Sequence, residues 1–515
     1  MNGLSVKGIK YLIIALTFFS FIYICFSPLI VSIDSIEGFL TYKQALHSIT
    51  LNFWPDVSPS NVNFDYLRFS GYWSPGQWLY PGALNFLFHI KLGGAAIIVT
   101  IVCMVTGMIG FYRVFRYFNF SPDTCLYSLL LILSSYTFYY SLIVYQGGEI
   151  LSFGIFPWFV YFVLLTKKPS LKNLVIIAGL FFLCFLAKLT LLIYCPTVIA
   201  FKIAEPAVRK YWFGEKSFRT NANVLWYTFP IFVVSVLLYY FFLSKYPLLH
   251  GRFDPSALDL LTPLSSPLLS ILSLHQIIGR VSQNVSGVSL DIMYFILLTV
   301  FLFLGYLTLR SEHVSIMYKS FLIVLYIGIN LFFICSYLFN RVDQSPRHFK
   351  FLGYMFLPGI LTIAGTYLTR IKMQLIVLFI CLLSTVAFIY LKQDWTKERF
   401  LSRNYFYRNY DNKNNVDQLD KESYRKLLVI ARHAPPSAIF FIQANLDIAM
   451  DLPFRCIIPW KNLDQKYFDH GPVIFACLPQ DTIRRYPNLL PKKFPDYHSF
   501  QLIDQTKAFV YYRCE

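Results

Sequence analysis

Residues 11–31, YLIIALTFFSFIYICFSPLIV, form a run of 21 positions without a charged side chain. A helix of this length rises about 30 Å, which is the thickness of the hydrocarbon core of a bilayer. The run must be helical there, because lipid offers no partner to free backbone N–H and C=O groups. Lys7 and Lys10 precede it as in a signal peptide, but the run exceeds a signal core and no small-residue cleavage site follows. We therefore expect a retained membrane-spanning helix.

The rest of the chain repeats this pattern. Of its 515 residues, 56% are hydrophobic and 14% charged, whereas soluble domains carry about 25% charged residues. Ten further apolar runs follow, at residues 92–112, 124–144, 150–166, 172–187, 189–204, 222–243, 290–309, 318–339, 350–368 and 373–391. The sequence predicts a polytopic α-helical membrane protein with about eleven transmembrane helices.

The basic residues predict how these helices are oriented, since short cytoplasmic loops are enriched in Lys and Arg. Lys7 and Lys10 place the N-terminus in the cytoplasm, and every second loop is then basic. These loops carry Arg113, Arg116, Lys167, Lys168, Arg209, Lys210, Lys216, Arg219, Arg310, Lys319, Arg370 and Lys372. The net charge of +18 follows from this pattern, and without a basic and aromatic soluble patch we expect no nucleic-acid partner. The predicted location is a bacterial inner or plasma membrane.

Residues 172–204 can be divided in two ways. Two short spans that turn at Lys188 keep the basic loops on one side. One long helix would put the basic segment 202–219 outside and invert everything after it. We predict two spans, with the C-terminus outside.

Two segments outside the membrane are long enough to fold. The first outside loop, 32–91, opens with IDSIEGFLTYKQALHSI, which is typical of an amphipathic helix at the interface. Its end, GYWSPGQWLYPGALNFLFHI, suits an interfacial or re-entrant segment. From residue 392 the chain turns polar, and four short apolar strands, AIFFIQ, PVIFACLP, FQLID and AFVYYR, alternate with helical stretches. We predict a transmembrane domain over 1–391, which includes this loop, and a soluble α/β domain over 392–515.

The ten cysteines form no CxxC pair and show no metal-ligand spacing. Seven lie in apolar runs and are interpreted as small hydrophobic residues. Cys456, Cys477 and Cys514 lie in the soluble tail, where an oxidising compartment would allow one disulfide. A divalent metal has no support in the sequence, and we predict no cofactor and no metal site.

Carboxylates at membrane depth are candidate functional residues, because ionised groups are costly there. Asp34 and Glu37 follow the first helix on the outside and, three residues apart, share one helical face. Asp34 could equally cap a helix that begins near Ser35. Glu149 lies in the outside turn YQGGEIL, where two glycines allow close approach of backbone or ligand. It could instead stabilise the N-terminus of the next helix.

Cations gather on the same side of the membrane. Lys188 lies at the turn within 172–204, where it suits a lipid-borne phosphate or a snorkelling interfacial lysine. Arg341, Arg347 and His348 crowd the loop 340–349, and an Arg fork matches phosphate oxygens in a bidentate manner. No phosphate-binding Gly loop, HExxH or GxSxG occurs, which argues against nucleotide-driven and ordinary hydrolase chemistry. This set of residues could bind a lipid-phosphate donor and deprotonate an acceptor.

With these features the chain resembles the GT-C superfamily of integral-membrane glycosyltransferases, which includes protein mannosyltransferases and lipid A aminoarabinose transferases. The resemblance rests on Asp34 after the first helix, the long first loop, Glu149 in the second, and the soluble C-terminal domain. The segments GLFFLCFLAKLTLLIYCP and SPRHFKFLGYMFLPG are similar to family segments. Family members often have two adjacent acids where Asp34 and Glu37 are separated, and a Tyr where His348 stands.

The resemblance implies a transferase that uses a polyprenyl-phosphate sugar donor and a glycan, lipid or protein acceptor outside the cytoplasm. Asp34 would be the general base, with Glu37 one turn further on. Glu149 would orient the acceptor or a metal. Lys188 and Arg347, with Arg341 and His348 nearby, would hold the phosphate leaving group.

Two other functions compete with glycosyl transfer. A polysaccharide polymerase also binds lipid-linked sugar, but we expect it to concentrate Arg residues in a large outside loop. A transporter or flippase should carry polar residues at mid-membrane, whereas these runs are apolar through their centres. The charge distribution therefore favours the transferase.

The topology can be tested with reporter fusions. A reporter fused after residue 395 should be active only outside the cytoplasm, and one fused after residue 214 only inside it, because the loops alternate in charge. If both fusions report the same side, residues 172–204 hold one span rather than two.

Overall fold

The computed structural model describes residues 6–26, 30–31, 33–46, 53–69, 74–135, 138, 141, 144–145, 147–166, 170–215, 226, 228–241, 263–269, 287–338, 346–396, 421–443, 455–457, 465–468 and 471–515. The chain divides into two compact units. The helical unit comprises Met1–Phe26, Ile98–Ile143 and Gly147–Asp394. The mixed unit comprises Ser27–Ile97, Val144–Gln146 and Trp395–Glu515.

The helices of the described residues are, in chain order, α1 Val6–Phe26, α2 Ile33–Ala45, α3 Gly76–Phe88, α4 Leu92–Tyr117, α5 Pro122–Ser134, α6 Gly147–Leu165, α7 Leu171–Ala187, α8 Leu191–Phe213, α9 Thr228–Phe241, α10 Gly287–Arg310, α11 Ile316–Leu338, α12 Lys350–Tyr367, α13 Arg370–Thr396, α14 Lys421–His433, α15 Gln480–Arg485 and α16 Leu489–Lys493. Each of the eleven predicted apolar runs overlaps one of them, although α1 ends at Phe26 and α5 at Ser134, short of the ends of the predicted runs 11–31 and 124–144. Within the described part, five helices are long and apolar enough to cross a membrane: Leu92–Tyr117, Gly147–Leu165, Leu191–Phe213, Ile316–Ile334 and Arg347–Tyr367. A multi-pass helical membrane protein is therefore confirmed, while eleven spans and their orientation stay predictions.

Aromatic rings hold the centre of the helical unit together. Phe351 on α12 packs against Phe156 of α6 at 5.0 Å and against Tyr194 of α8 at 5.8 Å between ring centroids. Phe111 of α4 lies 5.7 Å from Tyr354, one turn further along α12. Each contact is of the tilted or edge-to-face kind that aromatic pairs prefer. These rings fix the start of α12 relative to α6 and α8.

The mixed unit contains the predicted C-terminal sheet. Its strands are β5 Ile439–Ile442, β6 Arg455–Ile457, β7 Ile474–Pro479, β8 Phe500–Gln505 and β9 Phe509–Cys514, after β1 Ile30–Val31, β2 Phe53–Val57, β3 Asp65–Phe69 and β4 Val144–Tyr145 earlier in the chain. The sheet order is β6-β5-β7-β9-β8, with β6, β5 and β7 parallel and the other two pairs antiparallel. All four predicted strands are confirmed; β6 is only three residues long and gave no sequence signal.

The first outside loop folds with this sheet. The hairpin β2–β3 contributes Val57 and Val62 to the same hydrophobic core as Ile439 and Leu478. Val62 N–H donates to the carbonyl of Phe468 (3.3 Å), and Phe468 N–H donates to that of Pro59 (3.0 Å). The sequence predicted that loop 32–91 belongs to the transmembrane domain. In the structure the loop packs with the C-terminal residues, because the apolar side chains of the loop complete the core of the sheet.

This shared core constrains the topology. One hydrophobic core cannot straddle a bilayer, so the hairpin and the sheet lie on the same side, and the chain between them crosses an even number of times. The chain leaves the helical conformation at Lys188, between α7 and α8. That α7 and α8 are two separate spans stays a prediction.

Helices α2 and α3 of the first loop are in close contact. A Cβ added at Gly38 would lie 2.2 Å from Trp78 Cε3, and one at Gly82 would lie 2.5 Å from the ring of Tyr42. The Tyr42 hydroxyl also donates to Asn85 Oδ1 at 3.0 Å. Each helix thus has a glycine that accommodates an aromatic ring of the other.

The three cysteines of the tail are free thiols in the structure. Cys456, Cys477 and Cys514 lie on β6, β7 and β9. Burial raises the pKa of the Cys456 and Cys514 thiols to about 12, which keeps both protonated at neutral pH. They behave as small core residues of the sheet.

Replacing Gly38 by Ala should destabilise the protein, because the new methyl group would enter the Trp78 ring. We expect a loss of about 1–3 kcal/mol in the free energy of unfolding, measured as a lower thermal midpoint of the purified protein. Gly94→Ala is the matched control: it also lies in a helix of the mixed unit, and nothing lies within 4 Å of its added Cβ. Equal midpoints for the two variants would contradict the close α2–α3 contact.

Candidate functional site

A buried carboxylate lies between two lysines in the helical unit. Glu149 is in the first turn of α6, Lys188 follows the last residue of α7, and Lys350 is the first residue of α12. The Lys350 ammonium donates to Glu149 Oε2 at 2.6 Å and to the Glu149 backbone carbonyl at 2.9 Å. The Lys188 ammonium pairs with the other carboxylate oxygen, Oε1. A single carboxylate therefore links three helix ends.

These charges are removed from solvent. The exposed fraction of the side chain is 7% for Glu149, 13% for Lys188 and 3% for Lys350. Burying an ion is costly unless it is paired and hydrogen-bonded, and both carboxylate oxygens are engaged here. The triad is thus a structural element as well as a candidate site.

Local sequence explains how the three ends meet. Gly148 lets the turn approach α7, because a Cβ there would lie 3.2 Å from the carbonyl oxygen of Ala187. Lys188 caps α7 through its N–H to the Cys184 carbonyl (3.0 Å), and its own carbonyl accepts from Leu191 N–H as α8 begins. Gly148 beside Glu149 therefore allows close backbone approach, one of the two uses that the sequence suggested.

The turn before α12 adds further positive charge. Residues Pro346–Phe349 form a 3₁₀ turn, and the Tyr194 hydroxyl donates to the His348 carbonyl at 2.8 Å. The ring of Phe333 lies 6.3 Å from that of His348. Arg347 is the cation of this turn, and it is close enough for its charge to act on both Glu149 and Lys188.

The cluster carries more positive than negative charge among the described residues. Two ammonium groups, those of Lys188 and Lys350, share one carboxylate, that of Glu149. At low effective dielectric such an excess attracts an anion strongly. A phosphate would supply the missing negative charge, and a guanidinium binds it through a fork of two N–H groups.

Two of the other predicted residues belong to the mixed unit. Asp34 and Glu37 are on α2, in the mixed unit; the helix begins at Ile33, so Asp34 lies inside the first turn instead of capping it. Glu37 is half-buried, and its backbone carbonyl accepts from Thr41 Oγ1 at 2.9 Å. Arg341 and the side chain of Asp34 are outside the described part of the chain. Within that part, no group of three or more His, Cys, Asp or Glu residues is placed to hold a metal ion.

Sequence reasoning missed Lys350 and the pairing of Lys188 with Glu149. Lys350 had a signal, since it is a charged residue directly before the apolar run 351–368. The pairing of Glu149 with the lysines had no signal in the sequence, because Glu149 is 39 positions from Lys188 and 201 positions from Lys350.

No protein-family model and no curated protein sequence matches the chain. Solved structures do. An oligosaccharyltransferase from Archaeoglobus fulgidus matches with a TM-score of 0.52 and 11% identity, over 98% of this chain and 74% of that one. The arabinofuranosyltransferase AftD from Mycobacteria matches with a TM-score of 0.51 and 12% identity, over 99% of this chain and 40% of that one. ArnT from Cupriavidus metallidurans, in the apo state, matches with a TM-score of 0.46 and 10% identity, over 98% of both chains.

These matches concern the fold. The oligosaccharyltransferase and AftD are GT-C superfamily membrane glycosyltransferases, and the chain shares their fold along almost its whole length. The resemblance to the GT-C superfamily found in the sequence is thereby confirmed at the level of the fold.

Removing the central carboxylate should destabilise the helical unit. Glu149→Gln leaves two buried ammonium groups without a counter-charge, so we expect a loss of about 3–5 kcal/mol in the free energy of unfolding. The double variant Glu149→Gln/Lys350→Met should recover part of it, because one uncompensated charge is gone. Thermal unfolding of the purified variants measures both effects.

The matched control is Asp481→Asn, which removes the carboxylate of an ion pair whose side chains are 60% and 74% exposed. Its loss should stay below about 1 kcal/mol. Equal midpoints for Glu149→Gln and Asp481→Asn would show that the triad does not stabilise the fold.

Proposed function

We propose that this protein is an integral-membrane glycosyltransferase that moves a sugar from a polyprenyl-phosphate donor to a glycan, lipid or protein acceptor outside the cytoplasm. The observation that carries the proposal is the cationic cluster around the buried carboxylate of Glu149, formed by Lys188, Lys350 and the half-buried Arg347. It joins helix ends within a fold shared with an oligosaccharyltransferase and an arabinofuranosyltransferase. Both names denote transfer of a sugar group.

The cluster suits the leaving group of such a reaction. A polyprenyl-phosphate sugar is a phosphodiester with one negative charge, and the lipid phosphate that leaves is a monoester with up to two. Charge therefore grows on the phosphate oxygens as the sugar–oxygen bond breaks. Lys188 and Arg347 would stabilise that charge most where it is largest, in the transition state and product.

Glu149 and Lys350 would act as positioning residues in this mechanism. Both oxygens of the Glu149 carboxylate already pair with lysines, so this carboxylate is poorly suited to bind an acceptor or a metal. The carboxylate instead fixes the Lys188 ammonium, and Lys350, whose side chain is 3% exposed, fixes the carboxylate. The bound phosphate would meet an already oriented set of donors.

The acceptor needs a base. Its hydroxyl oxygen attacks the anomeric carbon, the bond from that carbon to the phosphate oxygen breaks, and the hydroxyl proton passes to a carboxylate. We assign this role to Asp34, in the first turn of α2 directly after the first predicted span. The products are the glycosylated acceptor and the polyprenyl phosphate, so atoms and charges balance.

Asp34→Asn should lower the rate of transfer about 10²–10⁴-fold, since a general base contributes about that much. The measurement is transfer from a panel of radiolabelled polyprenyl-phosphate sugars in proteoliposomes. Glu37→Gln is the matched control, one helical turn away on the same helix, and should cost less. The thermal midpoint and binding of polyprenyl phosphate should stay unchanged in both variants.

Three results would refute parts of this proposal. Near-full transfer by Asp34→Asn together with loss in Glu37→Gln would move the base to Glu37. Near-full transfer by both variants would remove α2 from the chemistry. Movement of the lipid-linked sugar across the bilayer without any transfer would identify a flippase.

A further inference from the structure

The C-terminal end of α3 exposes a full turn of apolar side chains. Phe86, Leu87 and Phe88 are each 65% exposed, and His89 after them is exposed too. Successive residues of a helix point about 100° apart, so these three exposed neighbours span about 200° of the circumference of the helix. We call residues 86–89 the α3 tip. Soluble surfaces rarely present such a contiguous apolar patch without a partner.

The tip is a rigid structure. His89 closes the helix in the left-handed conformation, with φ 53°. Asn85 Nδ2 donates to the Ile90 carbonyl at 2.6 Å and so holds the turn that follows. The same side chain accepts from the Tyr42 hydroxyl of α2 at 3.0 Å. The exposed turn therefore has a defined geometry and is connected to α2.

The other end of α3 is fixed in the protein. Gly76, Gln77, Trp78, Pro81 and Gly82 are buried. Trp78 packs over Gly38, and Tyr42 packs over Gly82. The N-terminal end of α3 is thus packed against α2, while the side chains of residues 86–89 at its C-terminal end are exposed.

The position of the tip in the chain indicates what covers it. Leu92, the start of a helix long and apolar enough to span a membrane, is four positions after Phe88, so the two residues are at most about 14 Å apart. Lys91, which is exposed, lies between them. Aromatic residues with a flanking lysine next to a span are typical of the membrane–water interface.

We propose that the α3 tip inserts into the bilayer, with Phe86, Leu87 and Phe88 among the lipid acyl chains and Lys91 at the headgroups. The insertion sets the depth of α2, because Tyr42, Gly38 and Asn85 join the two helices. The helix that carries Asp34 and Glu37 would then be held at headgroup level. This anchor does not depend on which reaction the protein catalyses.

The test places an environment-sensitive fluorophore on the full-length protein in vesicles of phosphatidylcholine and phosphatidylglycerol. An NBD group attached at Leu87→Cys should emit at shorter wavelength and be quenched by lipids that carry a spin label on the acyl chain. The matched control is NBD at Phe64→Cys: Phe64 is also 65% exposed, but it belongs to the hairpin that packs with the sheet. It should show the emission of a water-exposed group and little quenching. The unsubstituted chain, treated in the same way, gives the background of native cysteines.

Two results would overturn the proposal. Water-like emission at both positions would mean that the tip is solvated. A short-wavelength emission at position 87 that spin-labelled lipids do not quench would mean that protein covers the tip, either a second copy of the chain or another partner. Thermal midpoints equal to that of the unlabelled protein would show that neither label unfolds it.

Discussion

The carboxylate of Glu149 is the constraint on which the helical unit depends. It lies almost fully buried between the ammonium groups of Lys188 and Lys350, and these three residues stand at the ends of α6, α7 and α12. In an apolar surrounding neither a lone carboxylate nor a lone ammonium group is tolerated, so the three helix ends have to meet. The same arrangement leaves an excess of positive charge once Arg347 is added, which is the property a phosphate site needs.

The mixed unit depends on a constraint of another kind. Its core is built from segments almost four hundred residues apart, with Val57 and Val62 of the hairpin against Ile439 and Leu478 of the sheet. Arg455 Nε donates to Asp65 Oδ1 at 2.9 Å across the same contact. Because both segments must be on one side of the bilayer, the packing of a few valines restricts how the helices between them can cross it. Soluble packing and membrane topology are therefore coupled in this protein.

Within the mixed unit, close contacts connect α2 to α3, the helix whose tip is proposed as the membrane anchor. Gly38 accepts the face of Trp78, and Asn85 bonds to both Tyr42 and the turn after α3. Each ring packs directly on a glycine of the other helix, and a hydrogen bond joins the two helices, so the depth of α3 in the bilayer would determine that of α2. The catalytic depth assigned to Asp34 would then follow from lipid contacts made some fifty residues further along the chain.

The sequence by itself determined the membrane class, the approximate positions of the apolar helices and four of the five strands of the sheet. Those features depend on local runs and alternation of apolar residues, which can be read without knowing what packs where. It also placed Glu149, Lys188 and Arg347 at the ends of helices, because charges are excluded from the spans themselves. Only the tertiary structure decided that Glu149 pairs with Lys188, that Lys350 belongs to the cluster, and that the first loop completes the C-terminal core. Partners separated by 39, 201 or nearly four hundred residues leave no periodic signal, since their proximity is created by the packing of all the helices and strands between them.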